Sequence, residues 1–211
     1  MNLSYLTHHW PEIFHLAGQH LQLVGISMVL ATVIALPLGL IVAGFRPLTL
    51  PVFILLGIIY TIPSLAFLAF LIPSLGLGRN PAVVVLAAYA QLALVRNIVA
   101  GLRGVDAPML EAARGLGMNP WQVFIKVRFP LALPIVLAGF RIAIVLTISL
   151  ASVMAWINAG GLGSLLFDGV AANNPSQILA GLIAICALAL IADAIMRLII
   201  RLSAGSWARL S

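Results

Sequence analysis

The chain has 211 residues, of which 63% are hydrophobic and 8% charged, with a formal net charge of +6 and a mean hydropathy of +1.19. A water-soluble domain of this length carries about 25% charged residues, so the composition excludes one and makes the bilayer the expected solvent. The basic residues lie scattered, mostly at the ends of apolar blocks, which excludes the dense patch that nucleic acid requires.

In chain order, five apolar blocks run Leu21 to Phe45, Leu48 to Ile72, Pro81 to Leu102, Leu131 to Ile157 and Ile178 to Leu202. Each is at or near the ~20 residues a spanning helix needs. They are continuously apolar and lack the short alternating segments of barrel strands, so the predicted fold class is all-α, a polytopic membrane protein with five transmembrane helices. Residues 1–20 hold no Lys or Arg, so the charged start of a cleavable signal peptide is missing and the first helix is expected to stay in the mature protein. This gives an extracytoplasmic or interfacial segment at 1–20, a transmembrane domain at 21–202 and a cytoplasmic tail at 203–211. His8, His9, His15 and His20 read as interfacial polar residues, since their spacing is irregular and no Cys is near; Trp10 and Trp207 fit an aromatic belt. The single cysteine, Cys186, falls in the fifth block, so no disulfide or cysteine metal site can form within the chain.

Five spans put the two ends of the domain on opposite sides of the membrane. One side holds Arg46, Arg103, Arg114, Lys126, Arg128, Arg197, Arg201 and Arg209, the other Arg79 alone. Positive charge stays inside, so the N-terminus is expected outside, and the 106–130 segment and C-terminus in the cytoplasm.

That segment has room for structure of its own. Asp106 is positioned to cap a helix with Pro108 in its first turn, which runs through Leu110, Glu111, Ala112 and Ala113 until Gly115 and Gly117 stop it. Asn119 can cap a second helix, with Pro120 at its first position and Gln122 at the return position of a capping box. Phe129-Pro130 is expected to end that helix and open the next span. Ala112 and Ala113 leave one side of the first helix nearly bare, so another protein surface could approach closely, and Glu111 and Arg114 supply charge at the edge.

The pattern Glu111-Ala112-Ala113, three residues, Gly117, nine residues, Val127-Arg128-Phe129-Pro130 resembles the EAA loop of prokaryotic ABC importer permeases, with Val127 and Phe129 differing from that family's Ile-x-Leu-Pro ending by apolar exchange. The resemblance implies an ABC type I importer permease fold in the bacterial inner membrane. It also implies that Glu111, Ala112, Ala113, Gly117, Asn119 and Pro130 form the coupling site for a separate ATPase dimer, which would hold ATP and Mg. This chain would carry no cofactor. An extracytoplasmic substrate-binding protein and a second permease copy or paralogue would complete the assembly. Three further stretches, Tyr60 to Pro73, Val95 to Asp106 and Ala159 to Gly169, resemble the glycine betaine, choline and carnitine permeases. A methionine or other amino-acid importer permease, which shares the Gly-Gly-Leu-Gly stretch, is the alternative within the family.

Candidate conduit or gate residues are Tyr60, Pro63 and Ser64 in the second block, and Trp156, Gly160, Gly161 and Gly163 beyond the fourth. Each has a plainer reading. Pro63 beside Thr61 and Ser64 is equally a tolerated kink whose freed carbonyl a hydroxyl satisfies, and the glycines equally a tight turn. Asp193 and Arg197, four apart, read as a structural pair. Arg96 reads as snorkelling to the inner surface. Arg141 is left between a partner subunit, a water-filled cavity and a helix reaching beyond the bilayer. There is no phosphate loop, paired-carboxylate site or nucleophile with a base, so catalysis is not expected. An ion-coupled secondary transporter would need more membrane-embedded acids than Asp193.

Overall fold

The computed structural model describes Tyr5 and residues 8–205, a bundle of helices with no strand among them. We number the helices α1 (Trp10–Gly44), α2 (Thr49–Thr61), α3 (Ser64–Leu75), α4 (Arg79–Arg103), α5 (Ala107–Gly115), α6 (Pro120–Val123), α7 (Phe129–Met154), α8 (Gly163–Ala171) and α9 (Pro175–Gly205). Trp207 and Arg209, and most of the expected 203–211 tail, lie outside the described residues.

Among the described residues, four helical stretches are long and apolar enough to cross a membrane. The expected second span is instead two helices, α2 and α3, bent by 91° at Ile62-Pro63. Pro63 therefore does not kink a continuous helix. Ile62 is extended (ψ 125°), as expected for a residue before proline, and Pro63 (ψ 132°) has no N–H with which to continue α2.

Contacts between helices still make this broken pair a crossing. Gln91 of α4 donates to the Ala31 carbonyl of α1 (3.0 Å), and twelve residues further along both helices Arg103 donates to the Ala43 carbonyl (3.2 Å). α1 and α4 are thus parallel, so the chain between them must return to the end where it began. It does, since Gly78 before α4 lies beside the Asn158 carbonyl at the far end of α7. α7 and α9 run back and forward again, so α1 starts and α9 ends at opposite ends of the bundle.

α4 is the centre of the bundle: it packs against α1, α7, α2 and α3 and carries more buried residues than any other helix, including Val85, Leu86, Leu94 and Val95. Large apolar side chains on the outer helices point away from it, such as Val33, Leu50 and Leu190. That inversion suits lipid as the surrounding solvent, where helix association relies on close packing rather than on hiding apolar surface.

α1 begins eleven residues before the expected first block. At 35 residues it is about 52 Å long and overshoots the ~30 Å hydrocarbon layer. His20, expected at the interface, is fully buried, its Nε2 3.0 Å from the Ile148 carbonyl of α7.

Candidate functional site

The 106–130 segment sits at the end of the bundle where α1 and α4 stop. Asp106 occupies the N-cap position of α5 without a side-chain bond to the helix, so the start of α5 rests on its prolyl first turn. Its other end is fixed more tightly. Gly115 is the last helical residue, and Gly117 makes the stop: at φ 81° its N–H donates to Arg114 O (2.9 Å) while Met118 N–H donates to Ala113 O (3.3 Å), the paired bonds of a Schellman turn. Asn119 then closes the capping box on α6, its Oδ1 accepting from Gln122 N (2.8 Å) and Gln122 Oε1 accepting from Asn119 N (2.9 Å).

Phe129-Pro130 does not end the second helix. Residues 124–128 form a π turn in which Phe129 N–H reaches the Phe124 carbonyl, five residues back, and α7 continues from it. The wider turn absorbs the donor that Pro130 lacks. The helical rod from Pro120 to Ile157 is therefore 38 residues long, joining the 106–130 segment to the opposite end of the bundle.

Two arginines tie that segment down. Arg128 Nε donates to Leu102 O (2.8 Å) at the end of α4, and Arg103 donates to Ala43 O (3.2 Å), to Val42 O and to Thr49 Oγ1 (2.9 Å). Both cations meet carbonyls at helix C-termini, where the helix dipole favours positive charge. Ala113 faces inward, whereas Glu111 and Ala112 are exposed. Around them two large apolar side chains, Leu116 (79% exposed) and Trp121 (69%), have no cover. An apolar, rigidly capped surface at an Arg-rich end suits protein docking.

At the other end, the glycine stretch packs as a turn. Gly160 and Gly161 have φ of 80° and 90°, and Gly161 N–H donates to Gln19 Oε1 of α1 (3.1 Å). A Cβ on Gly163 would overlap the Ser152 carbonyl. These glycines therefore close α7 onto α1, and Trp156 alone of that set is well exposed.

Tyr60 and Pro63 meet α4. Ile59 O, the carbonyl that the missing N–H of Pro63 would have bonded, accepts instead from Ile62 N (3.3 Å); the Ile62 carbonyl at the break accepts from the Tyr89 hydroxyl, while Thr61 turns back to Ile58 O (2.8 Å). The Tyr60 and Phe67 rings lie 5.8 and 6.4 Å from the Tyr89 ring. Tyr60, 42% exposed, lines a hollow of about 330 Å³ with Arg96, Asn97 and Ile142. A second hollow of about 410 Å³, lined by Arg141, Ser149 and Asp193, continues from it across the shared Ile142 and Leu146. Asp193 accepts from Arg141 of α7 as well as from Arg197 (2.7 Å). The cross-helix half of this triad had no signal in the sequence, because 52 residues separate the partners.

Comparison with known proteins agrees with this geometry. The chain matches the family model described as "Binding-protein-dependent transport system inner membrane component" over residues 35–203. It is 36% identical over 194 residues to the glycine betaine/carnitine/choline transport system permease protein OpuCB of Bacillus subtilis (strain 168), covering 92% of this chain and 89% of that protein. It is 35% identical over 196 residues to the osmoprotectant import permease protein OsmW of Salmonella typhimurium (strain LT2), covering 90% and 91%. Its fold is that of a chain from inward-facing crystals of the MetNI methionine ABC transporter, with a TM-score of 0.81 at 23% identity over 90% of this chain and 95% of that one. The five crossings, the α5–α6 segment between the third and fourth of them and these likenesses together make the chain a multi-pass member of the binding-protein-dependent transport system inner membrane component family.

Proposed function

We propose that this chain is the pore-forming permease subunit of an ATP-driven importer for small quaternary-ammonium osmolytes such as glycine betaine, carnitine and choline. The observation that carries the reading is the capped α5–α6 unit, continuous with α7, in a chain whose relatives at 34–37% identity are named as permeases for those compounds. The likeness to a methionine transporter, at 23% identity, speaks for the fold and not for the cargo.

In this reading the Arg-rich end is cytoplasmic, as the eight-to-one charge count supports, and the glycine turn faces outward. Glu111, Ala112, Ala113, Gly117 and Asn119 form or brace the surface that sits on a separate ATPase dimer, which holds ATP and Mg; Leu116 and Trp121 join them. When the ATPase subunits close, α5 and α6 are drawn together with those of a second permease copy or paralogue. Because α6 runs into α7 without a break, that displacement tilts α7 and opens the conduit bordered by Tyr60, Pro63, Ser64 and Trp156 toward a loaded extracytoplasmic receptor. Pro130 keeps its place as the π-turn joint of the rod. The chain itself hydrolyses nothing.

The test is uptake of radiolabelled glycine betaine, choline and methionine into proteoliposomes holding this chain with its ATPase and receptor. The reading expects betaine or choline uptake that needs both ATP and receptor. Methionine uptake would replace the cargo, and ATP-independent uptake would overturn the mechanism.

A further inference from the structure

Among the described residues, the groove on the α4–α7 face holds a charge with no counter-charge beside it. Of its ionisable groups, Arg141 and Asp193 are paired, and Asp193 is shared with Arg197. Arg96 is different. Its guanidinium lies over the Phe53 ring, 5.7 Å from the centroid, and among the described residues it has no carboxylate partner and no hydrogen-bond acceptor. Stacking engages a guanidinium through its face and leaves the N–H donors at its edge free. Arg96 lies seven residues from the end of a helix that crosses the bilayer, about 10 Å along its axis. An unpaired cation inside a membrane crossing is costly and points to a function.

The same hollow presents the complementary group for a ligand's other end. Tyr60 lines it, backed by Tyr89, which is itself held by its bond to Ile62 O. A half-exposed tyrosine face attracts a quaternary ammonium, while Arg96 offers a fork of donors to a carboxylate. Leu92, Ala93, Ile142 and Leu146 make the rest of the wall apolar, and Tyr60 and Arg96 are both exposed, open to a ligand entering the hollow. At about 330 Å³ the hollow is at the lower end of small-ligand sites.

We infer that Tyr60, Arg96 and Asn97 form a transient cargo subsite within the membrane that takes quaternary-ammonium compounds bearing a carboxylate and rejects those without one. Glycine betaine and carnitine satisfy both ends. Choline offers the ammonium alone and brings a second positive charge toward Arg96 with no anion between them. The inference rests on the osmolyte reading and narrows it, making the permease a second filter behind the receptor.

The experiment is equilibrium binding of radiolabelled glycine betaine and of choline to the permease–ATPase complex in nanodiscs without receptor, for the wild type, R96Q, R96K and Y60L, with R79Q as a control outside the hollow. ATP hydrolysis by each complex checks that it is assembled. The wild type and R79Q should favour betaine over choline by about tenfold or more, about 1.4 kcal/mol for each factor of ten. R96Q should lose that preference by weakening betaine, R96K should keep part of it, and Y60L should weaken both compounds. No binding of either compound by the wild type, or an unchanged preference in R96Q, would overturn the subsite. So would R96Q separating the permease copies with its preference intact, which would assign Arg96 to a subunit contact. Where the subsite falls on any of these grounds, ATP-driven, receptor-dependent uptake of betaine or choline by the same wild-type complex would still leave the osmolyte reading standing.

Discussion

At Gly117 the backbone turns left-handed in open space, with nothing within 4 Å of where a Cβ would stand. A side chain there meets no neighbour, so the cost of substitution is conformational, about 1–2 kcal/mol. Gly115, two residues earlier, is also uncrowded but helical. There alanine should help by roughly 0.5–1 kcal/mol. The pair separates conformation from size. G117A is expected to speed amide exchange at Met118 and to raise the ATP hydrolysed per molecule imported, whereas G115A should slow exchange in α5 and leave the ratio unchanged. Equal behaviour of the two would mean that the turn is not what couples the segment. The glycine at 117 was legible from its place after a helical run. Gly160 and Gly161 were legible only as a turn, because what they close against is Gln19 and His20, far away in the chain.

Among the elements, α6 has only four residues and cannot be stable by itself. It holds its shape through the capping box at one end and the rod at the other. N119A removes the side chain that accepts from Gln122 N and should cost about 1 kcal/mol, seen as faster amide exchange over residues 121–124 with the exchange of α4 unaltered. A similar dependence holds at the break between α2 and α3. Tyr89 is the donor for the Ile62 carbonyl that the break leaves without a helical partner, so Y89F should strand a polar group in an apolar surrounding at a cost of about 1–3 kcal/mol. A lower unfolding midpoint with the spans still inserted is the expected result; a midpoint equal to wild type would show that the Ile62 carbonyl finds another donor. The sequence announced the helix caps because they are local, with donor and acceptor within three residues. It concealed the 91° bend because hydropathy reports how apolar a stretch is and carries no direction. Pro63 marked the place, but kinked and broken helices share that mark.

For the whole molecule, block hydropathy gave the number of crossings. The pairing of Arg141 with Asp193, the clamps made by Arg103 and Arg128 and the burial of His20 all join residues more than 25 apart in sequence, and none has a local signature. The number of crossings itself turns on α2 and α3, because only four stretches among the described residues cross unaided. If the bent pair dipped into the membrane and returned, the loop after α3 would share a side with the α5–α6 segment. The parallel run of α1 and α4 forbids this: Arg103 sits at the Ala43 end, while Gly78 sits at the Asn158 end. Single cysteines can decide the matter once the exposed Cys186 is replaced by serine. Cysteine at Leu77, which is exposed, and at Asn158 should both react with a membrane-impermeant maleimide added to intact spheroplasts, while cysteine at the exposed Leu116 should react only after permeabilisation. Labelling of position 77 together with 116 would make α2 and α3 a re-entrant hairpin and leave four crossings, which the parallel pairing of α1 and α4 could not accommodate.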